Sequence, residues 1–171
     1  AIPPSAQVRG MFILPVVQEA KRAKVSMTRA RDRYLPFQFY PLREHARLLA
    51  DIAAAVYPEL SMRQALRKLG RGGPQAFSGS TLGRVLLQPA QGVEQTVGAL
   101  AKGYELTLNP GRALVEERGP KCLDVTLQEI HYFVDCHHVG AFEGAMKFAN
   151  ARGRVKLQRI SAAEAVLRLT W

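Results

Sequence analysis

The stretch from Val139 to Trp171 constrains the fold of this 171-residue chain more than any other. It reads VGAFEGAMKFAN, then ARGRVKLQRI, SAAE and AVLRLTW. Gly140, Ala141, Gly144 and Ala145 put small residues three and four apart, so one helix face is nearly flat and admits a close neighbour. Phe142, Met146, Phe148 and Ala149 make most of the remaining surface apolar. Glu143 and Lys147 form the wet edge, paired at i,i+4 in the favourable order. Asn150 tolerates the left-handed conformation that closes a helix. Two alternating runs follow across a short turn. A mostly buried helix feeding a hairpin can only sit against further sheet and further helices.

The residues before it supply both. A lead-in over 1–7 is read as flexible, and 8–103 as mainly helical. A first helix runs from Val8 toward Lys24 with Pro15 in its first turn, where a missing donor costs little. Tyr34 to Tyr40 is an aromatic, extended connector. Pro41 opens a helix whose apolar positions Leu42, Ala46, Leu49, Ile52, Ala53 and Val56 recur at helical spacing, and Pro58 stops it. Ser61 and Gln64 spell a capping box ahead of the next helix, which Gly70 is expected to end, with Gly72-Gly73-Pro74 as a loop. Helices over about 75–87 and 93–102 follow, the latter ended by Gly103. At Tyr104 the period changes to that of a strand. YELTLN, ALVEER and CLDVTLQEI, separated by Asn109-Pro110-Gly111 and Arg118-Gly119-Pro120, read as a meander. Residues 104–171 are thus meander, helix and hairpin. The class is α+β in one domain over 1–171: N-terminal helices on an antiparallel sheet of about five strands, with a Gly-x-x-x-Gly helix before the last hairpin.

Charge narrows the choice of partners. Lys and Arg number 24 against 14 acids, a net charge of +10, which favours anionic partners. The most basic window includes Arg29, Arg31 and Arg33. Arg63, Arg67 and Arg71 lie on the wet side of one helix. Alternation on ARGRVKLQRI leaves Arg152, Arg154 and Lys156 on an exposed face. Joined, these residues would form an anion-binding surface for nucleic acid or an anionic membrane. No recognised reading motif and no exposed aromatic row accompanies them. No apolar run reaches the roughly 20 residues that span a bilayer. Two cysteines give no disulfide framework, and the start lacks a leader-like pattern. A cytoplasmic setting is expected.

Catalysis finds little support. Glu116 and Glu117 are sequential on a strand and point to opposite faces. Ser78 and Ser80 sit in no nucleophile elbow. The one cluster of ligand-type residues is HYFVDCHH, whose His131, Cys136, His137 and His138 suit zinc chemically without matching a structural-zinc spacing.

The ending GAFEGAMKFANARGRVKLQRISAAEAVLRLTW resembles the C-terminal signature of small TRAPP transport-complex subunits. The same helix and hairpin recur in 4-vinyl-reductase-type ligand-sensing domains and in haem–nitric-oxide-binding domains. VRGMF, YPLREHARLLADIAAAVYPELSMRQALRKLGR and the Thr-Leu-Gly-Arg segment are similar to a myxobacterial paralogous family of uncharacterised proteins. The resemblance implies a non-enzymatic regulatory or binding module that holds a small apolar ligand or pairs with a protein partner or a second copy of itself. Leu49, Ile52, Ala145, Phe148 and Leu169 are the candidate pocket residues. The haem-binding branch uses a His on the helix before the meander and a Tyr-x-Ser-x-Arg motif; neither stands here, so no cofactor is expected, haem is disfavoured, and zinc is the remaining candidate.

Overall fold

The computed structural model describes residues 1–27 and 30–171, so Arg29 lies outside the described residues. Among them, six helices and two antiparallel sheets alternate along the chain. The α+β class and the helices-on-sheet arrangement hold, but the strands divide differently. A small sheet joins β1 (Gln7–Arg9), β2 (Phe39–Pro41) and β3 (Leu108–Asn109) in the order β2-β1-β3. The main sheet joins β4 (Arg112–Gly119), β5 (Cys122–Gln128), β6 (Arg154–Arg159) and β7 (Ala165–Thr170) in the order β4-β5-β7-β6. The lead-in is not free of structure, since Ala6 is buried and its carbonyl accepts from the Leu42 N–H.

The first helix, α1 (Gly10–Arg22), carries Pro15 in its interior and not in its first turn. α2 (Leu42–Val56) begins directly after Pro41. α3 starts at Ser61 with the complete capping box and runs from Met62 to Ser78, straight through the glycines and the proline expected to break it. The reason is tertiary. A Cβ built at Gly70 would collide with the His137 carbonyl, and Cβ atoms at Gly140 and Gly144 with the carbonyls of Arg67 and Arg71. These three glycines let α3 and α6 (His137–Phe148) meet backbone to backbone. That packing outweighs the weak helix propensity of Gly70–Pro74. The small-residue face is therefore a helix–helix seam. Glu143 joins it: the carboxylate accepts from Arg67 and from Arg71 across the seam, in place of the expected Lys147.

After α4 (Thr81–Leu87), α5 (Gly92–Thr107) also overruns its expected end. Gly103 and Tyr104 are buried inside it, so only Leu108 and Asn109 of YELTLN are strand. The inner face of the main sheet is apolar: Leu123, Val125 and Leu127 of β5 pair in register with Leu169, Leu167 and Ala165 of β7, all buried. The other face is mixed, with Asp124, Thr126 and Arg168 beside Val166 and the exposed Leu114. No helix among the described residues is long and apolar enough to cross a membrane.

Candidate functional site

Five helices line a partly open cavity of about 50 Å³, whose walls are mostly apolar and carry three polar side chains, His45, Tyr104 and His137. α1 supplies Phe12, Pro15 and Val16, α2 supplies His45, α3 supplies Gly73, Pro74 and Phe77, α5 supplies Leu100 and Tyr104, and α6 supplies His137 and Ala141. The placements follow from sequence periodicity. His45 falls on the buried face of α2 with Leu42, Ala46 and Leu49. His137 and His138 open α6, where that helix leans on α3.

Behind the cavity the aromatic rings continue as one cluster. His45 sits 5.7 Å from Phe12 and 5.6 Å from Tyr132 between ring centroids. Tyr132 lies 4.6 Å from His138, which lies 5.1 Å from His137. The Tyr104 hydroxyl and His138 Nδ1 share a hydrogen bond of 2.6 Å. Beyond that bond the cluster is unsatisfied. Both ring nitrogens of His45, Nδ1 of His137, Nε2 of His138 and the Tyr132 hydroxyl are buried without a partner among the described residues. Native cores seldom leave such groups bare, because each costs about 1–3 kcal/mol.

Burial also fixes the charge state of this cluster. It pushes His45 down to about 3, helped by the neighbouring His137, and pushes His137 down to about 4. His138 is held well below the ordinary histidine range by the same desolvation and by its two histidine neighbours. Tyr104 and Tyr132 are raised by burial and keep their protons. At neutral pH the site thus presents uncharged imidazoles, the form that donates a lone pair to a metal or accepts a hydrogen bond.

The expected site residues fare unevenly. Leu49, Ile52, Ala145 and Leu169 are fully buried and Phe148 half-buried, but none of the five lines this cavity. They belong to the packing around it. The zinc candidate of His131, Cys136, His137 and His138 is not assembled. Cys136 Sγ points to the Phe133 carbonyl at 3.8 Å, and burial lifts its thiol to about 11. Among the described residues no group of three or more His, Cys, Asp or Glu side chains is placed to hold a metal ion. The continuous basic surface is not built either. Arg31 pairs with Glu44 at 2.9 Å, Arg63 with Asp135, and Arg67 with Glu143. Arg152, Arg154 and Lys156 stay exposed on and beside β6, and Arg33 is exposed between α1 and β2. Sequence reasoning missed His45, Tyr104 and Tyr132. The signal for His45 was its place on the apolar face of α2.

The model of the family described as "Protein of unknown function (DUF2378)" matches residues 1–171, and the chain belongs to that family. No curated protein matches it. Among solved structures it resembles the Fe(II) unliganded H-NOX protein from K. algicida, at 14% identity over 95% of each chain with a TM-score of 0.62. It also resembles the H-NOX protein from S. oneidensis in the Fe(II)NO ligation state, at 13% identity over 94% of this chain and 97% of that one, TM-score 0.63. A third likeness, described as "Modulating Heme Redox Potential Through Protein-Induced Porphyrin Distortion", has 15% identity over 95% and 92%, TM-score 0.62. At such identity the shared property is the fold.

That likeness corrects the expectation that no cofactor is involved and haem is disfavoured. The expectation rested on α5 carrying no histidine and on the missing Tyr-x-Ser-x-Arg motif; both remain so, but the fold brings His45 and His137 to the same cavity from α2 and α6, and Tyr104 from α5 itself. A porphyrin brings four nitrogens of its own and asks the protein for one or two axial donors, which a neutral imidazole or a tyrosine oxygen supplies. A bare zinc ion asks for three or four. The donor set here fits the first demand and not the second.

Proposed function

We propose that this member of the DUF2378 family is a non-enzymatic ligand-binding regulatory module, acting in the cytoplasm, with a haem-type iron porphyrin as its ligand class. The observation that carries the reading is the pair of buried, neutral imidazoles of His45 and His137 lining a five-helix cavity, with ring nitrogens that have no partner among the described residues, and with His138 behind them. His45 or His137 would hold the iron, and haem bound there would supply a metal that takes up a small gaseous ligand. The chain's own part is to keep the donors uncharged by burial, to orient His138 through Tyr104, and to exclude water with Phe12, Phe77 and Leu100. The cavity as it stands suits a diatomic molecule, and a macrocycle has to part its walls. α1 and α3 are the weaker walls, because Pro15 and Pro74 each interrupt a hydrogen-bond ladder beside the cavity.

Titration of the purified chain with hemin, followed by absorption in the Soret region, tests the reading. One equivalent is expected to bind and to shift the band. His45→Leu or His137→Leu is expected to weaken binding by about tenfold or more, while far-UV circular dichroism shows both variants folded. An unshifted Soret band, or equal binding by both folded variants, overturns it.

A further inference from the structure

The outer face and free edge of the main sheet form a second region that the ligand cavity does not use. β6 ends the sheet, and its residues pair only with β7, Arg154 opposite Thr170 through Arg159 opposite Ala165. Among the described residues, no backbone or side-chain group of Arg154 through Gln158 has any other hydrogen-bond partner. A row of unpaired N–H and C=O groups is a template for another strand.

The side chains flanking that edge are of one sign. Arg152, Arg154 and Lys156 are exposed, and none of them is ion-paired among the described residues. Register places Lys156, Arg168 and Asp124 side by side across β6, β7 and β5 on the outer face. Asp124 is 3% exposed and is held by Arg168 through two hydrogen bonds of 2.8 Å and by Arg118 through a third of 2.8 Å. Its carboxylate pins both guanidinium groups at the wall of an open depression of about 450 Å³, lined also by Lys156, Leu157, Gln158 and Val166. The edge is therefore a strand template bordered by fixed cations with a partly apolar floor.

We infer that the β6 edge docks an extended acidic segment of a partner protein, which adds to the main sheet as a further strand with carboxylates on Arg154 and Lys156. Strand addition takes its affinity from main-chain bonds and its selectivity from alternate side chains. A second copy of this chain is disfavoured at the edge, since β6 against β6 sets Arg154 and Lys156 among like charges. Nucleic acid satisfies the cations but offers no polypeptide backbone to the edge. This surface is independent of the haem reading.

The probe is a fluorescein-labelled peptide alternating Glu and Val, titrated into the full-length chain at about 50 mM salt, where surface charges are little screened. Saturable binding is expected, with slowed amide exchange on β6 by hydrogen–deuterium mass spectrometry. N-methylation of alternate peptide amides removes donors without changing charge, and is expected to lower affinity by about tenfold or more in one of the two methylation phases. The variant R154E/K156E is expected to lose binding while keeping the far-UV circular dichroism and urea midpoint of the unaltered chain. Equal affinity for both methylated peptides, displacement of the peptide by duplex DNA or phosphatidylserine vesicles at lower concentration than by unlabelled peptide, or no binding at all, each overturns the proposal.

Discussion

Asp124 and the imidazole cluster are both buried polar sites, yet the chain treats them in opposite ways. Asp124 lies on the wet face of the main sheet and receives three hydrogen bonds from Arg118 and Arg168. Those partners, Arg168 first, hold its carboxyl down at about 2 against the opposing effect of burial. Nothing is left for an outside group to satisfy at the carboxylate itself. His45, His137 and His138 lie in the helical half with one internal hydrogen bond among them. Their neutrality comes from desolvation and not from partners. The chain saturates one buried carboxylate with two arginines, yet among the described residues it leaves both nitrogens of His45 and one each of His137 and His138 without a partner.

Acid offers the largest separation between the two. A histidine whose folded value lies below its unfolded value of 6.5 binds more protons when unfolded, so stability is full above about pH 6.5 and is lost as pH falls toward the folded values of about 3 and 4. At pH 5 the loss is about 2 kcal/mol each for His45 and His137, about 4 kcal/mol together. Asp124 contributes nothing over this range, because its own stabilisation is lost only as pH falls from the ordinary 3.8 through about 2. Urea midpoints between pH 7.5 and pH 5 check this. A flat profile would mean that the imidazoles are not desolvated as described.

Next in size is the removal of the Asp124 partners. Arg118→Ala with Arg168→Ala removes both partners of the Asp124 carboxylate, whose side chain is 4% exposed, at a cost of about 2 kcal/mol at pH 7, the worth of holding it at about 2 instead of 3.8. Adding Asp124→Val to the pair is expected to recover most of that loss, because β5 then carries an apolar side chain where no charge needs a partner. Failure of the third substitution to recover stability would show that the arginines matter through packing on the sheet.

Much of this was legible in the sequence. Ser61 with Gln64 announced the start of α3, Pro41 that of α2, and alternation found β4, β5, β6 and β7. Element ends were misread wherever packing overrode local preference. Gly70 and Gly72-Gly73-Pro74 look like a helix end because glycine is a poor helix former, yet α6 needs Gly70 bare in order to approach. YELTLN alternates like a strand, but Tyr104 is drawn into α5 by its bond to His138. The cavity was legible only in part. His137 and His138 stood out as a pair, whereas His45 lies 92 residues before His137 and joins it only through the packing of α2 beside α3 and α6. The basic surface failed for a related reason, since Asp135 and Glu143 meet Arg63 and Arg67 only once α3 and α6 are side by side.

The smallest effect is also the most discriminating, because its sign differs from that of ordinary core substitutions. His45→Leu keeps nearly the same volume and removes two buried nitrogens that have no partner. Relief of those groups is worth about 1 kcal/mol after allowance for lost ring contacts with Phe12 and Tyr132. The variant is therefore expected to unfold at higher urea concentration at pH 7, to lose about half of the acid sensitivity predicted above, and to bind hemin poorly. Stability gained as binding is lost marks a residue kept for a ligand at the expense of the fold. If His45→Leu instead destabilises by more than about 1 kcal/mol at pH 7, its nitrogens are satisfied within the folded chain, and the contrast with Asp124 disappears.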